Sequence, residues 1–150
     1  MKIIVHLHPM LVHFPIGFLF ASVLFDLINK WTHKQDFKKA AYYLLFLGLL
    51  FGIFASGVGV YIENVIEESG VSEKHLDDHK GFAIATLACF AFLFAFRVLK
   101  KNQFSENVLS LYLILSLAGL LLLTITGFYG GKLVYEDGAA VHFPNKTMAK

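Results

Sequence analysis

Four stretches of the chain are apolar on every helical face, and each is about as long as a bilayer crossing. They run from about Met10 to Ile28, Ala40 to Ile62, Gly81 to Leu99 and Val108 to Tyr129. A helix needs roughly 20 apolar residues to cross the hydrocarbon core, and helices in soluble cores are seldom apolar all round for that length. The pattern predicts an all-α protein. It is a four-helix transmembrane bundle, up-down-up-down, forming one domain over residues 1–150 in contact with the lipid bilayer.

Composition agrees with this reading. Of 150 residues, 57% are hydrophobic and 16% charged, against roughly 25% charged in soluble domains. The net charge of +2, with no basic stripe, argues against nucleic-acid binding. The single cysteine, Cys89, excludes an internal disulfide. Span one lacks the basic flank and small-residue cleavage site of a signal peptide, so it is expected to be retained.

The connecting segments predict orientation. Lys30, Lys34, Lys38 and Lys39 follow span one, and Arg97, Lys100 and Lys101 follow span three. The segment between spans two and three carries Glu63, Glu67, Glu68, Glu73, Asp77 and Asp78. Because basic loops stay in the cytoplasm, both termini are expected outside the cytoplasmic (inner) membrane. Trp31, Tyr42 and Tyr43 mark the inner interface, and Tyr61 and Tyr129 the outer one.

Helices in lipid associate through close packing, so small residues four apart are informative. Gly48, Gly52 and Ser56 form the strongest ladder; Gly17 with Ala21 and Gly127 with Gly131 are shorter ones. No duplication of whole helices is evident. Val-His-Phe-Pro occurs at 12–15 and 141–144 without repeated surroundings.

Six of the seven histidines fall on the expected outer side: His6, His8, His13, His75, His79 and His142; His33 lies inside. His13 stands one turn inside span one, and ionisable groups at such positions usually face the bundle interior with a partner. Pro9 suits a first helical position. Pro15 falls inside the helix, where it cannot donate to the Leu11 carbonyl and favours a kink. His79 enters at the top of span three, within about two turns of His13 in depth. Two facing imidazoles, His13 and His79, could ligate a haem iron. His8, His13 and His79 with an acid such as Asp78 could instead hold a bare transition metal. His8 and His13 are five residues apart, which points them away from each other on a regular helix. The plain alternative is structural: His13 bonding a carbonyl or Thr124, and His79 capping its helix.

Asp26 lies near the inner end of span one, where an unpaired acid is costly. Lys30, four residues on, is the simplest partner; a proton or cation site is the alternative. The tail from Gly130, with Asp137-Gly138 favouring a tight turn, reads as a short outer hairpin or cap.

The segment His8-Pro-Met-Leu-Val-His13-Phe-Pro-Ile-Gly17, followed by Asp26, resembles the opening motif of a bacterial and archaeal membrane family, catalogued as domain of unknown function 2231. His79-Lys80-Gly81 and Thr126-Gly-Phe-Tyr-Gly-Gly131-Lys-Leu-Val-Tyr-Glu136-Asp-Gly138 are similar to further motifs of that family. The resemblance implies a four-span bundle and no established activity; a likeness to redox-linked membrane modules favours haem by analogy only.

Three readings stand at this point. One is a b-type haem protein exchanging electrons with a partner at the outer face. Another is a transition-metal binding or transport protein using His8, His13 and His79, with Asp26 as an inner relay. The third is a cofactor-free scaffold subunit. No nucleophile–base–oxyanion arrangement is visible, which argues against a hydrolase.

Overall fold

The computed structural model describes residues 2–139 and 141, and for residues 2–4 the backbone alone. Five helical segments follow one another: α1 Lys2–Leu11, α2 His13–Thr32, α3 Gln35–Glu68, α4 Glu73–Leu99 and α5 Glu106–Tyr135. Helices α1 and α2 together form the first crossing, so four helical rods are long and apolar enough to span a bilayer: Val5–Thr32, Gln35–Glu68, Glu73–Leu99 and Glu106–Tyr135. Each is longer than its apolar run because the charged flanks continue the helix.

The α1–α2 break at Val12 follows from Pro15. With no N–H at Pro15, the Leu11 carbonyl loses its helical donor, and α1 stops at that residue. Pro9 does not begin a helix as its sequence context suggests; it sits inside α1.

The connections are short, which forces antiparallel neighbours. Residues His33 and Lys34 join α2 to α3, with His33 in the left-handed region at φ 54° and its N–H bonded to Asn29 O at 2.8 Å. Gly70, at φ 83°, turns the chain from α3 toward α4. Helix α2 packs on α3 and α4 on α5, while α3–α4 and α2–α5 close the ring. The diagonal pairs α2–α4 and α3–α5 make no close backbone approach among the described residues. What meets across the diagonal is therefore side chains.

A central core of Leu19, Leu45, Phe90, Leu93, Tyr112 and Leu113 fills the bundle. A second cluster, at the end holding the start of α1 and the end of α5, joins Val5, Ile62, Ile66, Leu76, Leu133 and Ala139. Ile53, Phe54, Val60, Ile84, Phe92, Ile114, Leu121 and Phe128 face outward, as expected where the solvent is lipid.

Gly48 lets α2 approach α3: a Cβ there would lie 2.6 Å from Leu19 Cδ2. Gly52 meets Leu87 and Pro15 in the same way, whereas Gly17, Gly127 and Gly131 face open space. The ladder in span two is thus a true packing seam, and the shorter ladders are not. Of the expected outer hairpin or cap, the cap with its turn at Asp137-Gly138 is what forms, beginning later than Gly130. Helix α5 runs through Gly130-Gly131 to Tyr135, and only then does the chain turn, at Gly138 with φ 74°. Ala139 N–H bonds Leu133 O at 2.7 Å and buries Ala139 in the second cluster. His142 lies outside the described residues.

The absence of a duplication is the largest correction. Helices α4 and α5 start 71 residues after α1 and α3 respectively. Leu19 lies over Gly48 and, at the same offset, Phe90 lies over Gly119. Buried positions coincide too: Val5 with Leu76, Ala41 with Tyr112, Leu45 with Ser116 and Ile62 with Leu133. The two helical hairpins are equivalent in architecture although few of their residues are identical.

Candidate functional site

Two polar pairs cross the diagonal of the bundle, one toward each end. His8, on α1, and His79, on α4, form the first. Their ring centres are 6.3 Å apart and their planes meet at 89°. His8 Nδ1 lies 2.9 Å from Ala55 O of α3, and His79 Nδ1 lies 3.0 Å from Thr126 O of α5. A carbonyl oxygen only accepts, so in the neutral rings both Nδ1 atoms carry the proton and both Nε2 atoms carry the lone pair. That tautomer is the one in which a histidine ligates metal, its other nitrogen oriented by a carbonyl. Both side chains are half-buried.

Glycines make room for the two rings. A Cβ on Gly59 would lie 3.1 Å from His8 Cε1, and a Cβ on Gly130 would lie 3.1 Å from His79 Cε1. Each histidine therefore has the same surroundings: a carbonyl 47 residues further along the chain and a glycine four residues beyond that carbonyl.

His13 is placed elsewhere. Its side chain is exposed, and its Nδ1 lies 2.7 Å from Pro9 O on its own chain segment. Thr124 bonds Leu120 O rather than His13. His79 does not cap α4, since Ser72 does so, its hydroxyl accepting from His75 N. The structure thus sets His8, not His13, against His79. The trio His8, His13 and His79 does not assemble: no group of three metal-ligating side chains gathers among the described residues. Asp78 has no place beside the pair, and His75 turns to Asp137, with Nδ1 to Oδ2 at 2.9 Å.

Asp26, on α2, and Arg97, on α4, form the second pair. Both are 0% exposed. Arg97 Nη1 donates to Asp26 Oδ2 at 2.6 Å and Nη2 to Oδ1 at 2.7 Å, a two-pronged match of guanidinium to carboxylate. The remaining donors reach Asn102 Oδ1 at 2.7 Å, Tyr112 OH at 3.3 Å and Lys38 O at 3.3 Å. The α4–α5 turn wraps onto the same residue, with Asn102 N–H bonding Arg97 O at 2.8 Å. Lys30 is not the partner of Asp26; it donates to Ser110 Oγ at 3.1 Å. The sequence offered Arg97 only as an orientation marker. Every fully buried side-chain polar atom among the described residues has a partner, so the pair is internally satisfied, and it borders a cavity lined also by Asn29, Gln35, Lys38 and Glu106.

A family profile described as "Predicted membrane protein (DUF2231)" matches residues 5–142. The chain belongs to the DUF2231 family. No curated protein and no solved structure matches it. This DUF2231 protein is therefore an integral membrane protein, with four rods suited to crossing a bilayer. The match takes in both diagonal pairs and all but the first few residues of the described fold.

Proposed function

We propose that this protein is a b-type haem protein that transfers electrons at the extracytoplasmic side of the cytoplasmic membrane, and that His8 and His79 are the residues that would hold the haem. The observation that carries the reading is the His8–His79 pair, bridging helices whose backbones stay apart. The two rings stand with centres 6.3 Å apart, and because each Nδ1 is held by a carbonyl, both Nε2 lone pairs would be available to one group. The donor set of two oriented neutral imidazoles fits haem iron.

Haem supplies one-electron chemistry. His8 and His79 would hold it. Ala55 O and Thr126 O fix each ring by its Nδ1–H, and Gly59 and Gly130 let the rings lie close to the helices behind them. Helix α5 approaches α2 but not α1, so α1 and α5 meet at this end only through side chains such as Val5 and Leu133. The excess of Lys and Arg at the opposite end supports an extracytoplasmic site. Glu63, Glu67, Glu68, Glu73, Asp77 and Asp78 surround the histidine end, and this suits a redox partner with a basic surface.

The test is the visible spectrum and haem content of protein purified in detergent from haem-replete cells. One haem per chain with a Soret band is expected, lost in His8→Ala and His79→Ala. A colourless, well-folded protein would leave a cofactor-free subunit, and stoichiometric copper or zinc without a Soret band would assign the pair to a bare metal ion.

A further inference from the structure

We infer that this chain is a covalently joined pair of equivalent half-units, residues 2–68 and 73–139, and that the His8–His79 site is a two-fold site to which each half-unit supplies one identical half-site. The half-site is a histidine, the carbonyl that holds its Nδ1, and the glycine beneath its ring. It consists of His8, Ala55 O and Gly59 in one unit, and of His79, Thr126 O and Gly130 in the other. Every member is displaced by the same 71 residues that separate Asp26 from Arg97.

That common offset has a geometric consequence. In a two-fold arrangement, only residues beside the axis meet their own counterparts. His8 meets His79, and Asp26 meets Arg97. Both pairs therefore mark an axis that runs along the bundle, relating two hairpins that cross the membrane in the same sense. Parallel membrane repeats are related in this way. Each unit also carries its own orientation signal, with Lys30, Lys34, Lys38 and Lys39 in one and Arg97, Lys100 and Lys101 in the other.

The two pairs use the axis differently. Identical residues at the histidine end offer the same donor from each unit, which suits a group that would be held by two equivalent imidazoles. Opposite charges at the other end favour one unit of each kind: two first units would set Asp26 against Asp26, and two second units Arg97 against Arg97. The ligand class rests on the haem reading; the two-unit architecture does not.

Equivalent units make their order in the chain immaterial. Val5 and Ala139, near the two limits of the described residues, share one cluster. A permutant of the full chain that starts at Ser72, runs through Lys150 into Met1 and ends at Val71 tests this. It should insert, stay monodisperse in detergent and keep the helical content and thermal midpoint of the native order, with the same absorption band. Gly59→Ala and Gly130→Ala give a second reading independent of permutation, and should lower the midpoint equally. A permutant that aggregates, or unequal losses from the two glycines, overturns the inference. A stable but colourless permutant, matched by a colourless native protein, upholds the two-unit architecture and removes the haem.

Discussion

Breaking the Asp26–Arg97 pair should cost far more than replacing it. Asp26→Ala removes both acceptors of the two-pronged contact and leaves the guanidinium, 0% exposed, with only the Asn102 amide oxygen, the Tyr112 hydroxyl and the Lys38 main-chain carbonyl. Arg97→Ala strands the carboxylate and also removes the side chain packed against Phe104 and Tyr112. Losing one member of a buried pair costs about 3–5 kcal/mol, whereas replacing both members by apolar residues of similar volume is often neutral or stabilising. The double variant Asp26→Leu/Arg97→Met is therefore expected within about 1 kcal/mol of the native protein. The assay is the monodisperse fraction surviving a temperature series in detergent, read by size-exclusion chromatography for the native protein, both single variants and the double. Single variants as stable as the native protein would refute the reasoning. So would a double variant whose loss equals the sum of the singles, because a coupled pair requires non-additivity.

Gly48→Val and Gly119→Val should each destabilise the bundle by about 1–3 kcal/mol through overpacking, since a Cβ would meet Leu19 at 2.6 Å and Phe90 at 3.0 Å. Gly17→Val, with nothing within 4 Å of its Cβ, should leave the same thermal assay unchanged. Ser22→Ala removes a buried 2.8 Å bond to Ala41 O and should lower stability by about 0.6 kcal/mol, the average for such bonds between membrane helices.

The four crossings were legible because apolar runs of bilayer length have few other physical solutions. The Gly48 seam was legible because close helix packing in lipid requires small residues. The choice of histidine was not. Depth along the helix favoured His13, but azimuth decides which way a ring points, and five residues of helix turn His13 about 140° away from His8. The partner of Asp26 was hidden for a different reason: local spacing suggested Lys30, while Arg97 lies 71 residues away and reaches Asp26 only through the diagonal of the bundle. A signal for both was present. Gly-Leu-Leu at 48–50 and 119–121 stands at the same distance after His8 and His79, and Gly59 and Gly130 complete each copy. The signal is faint because equivalent core positions differ in size, as Ala41 and Tyr112 do, while both are buried.

The most direct test of the account is near-infrared magnetic circular dichroism of the oxidised, detergent-purified protein, which reports the axial ligands of haem iron. The native protein and His13→Ala should both show the signature of two imidazoles, and His8→Ala should lose it. A signature that survives in His8→Ala, or one that disappears in His13→Ala, would contradict the assignment of His8 and His79 as the ligand pair.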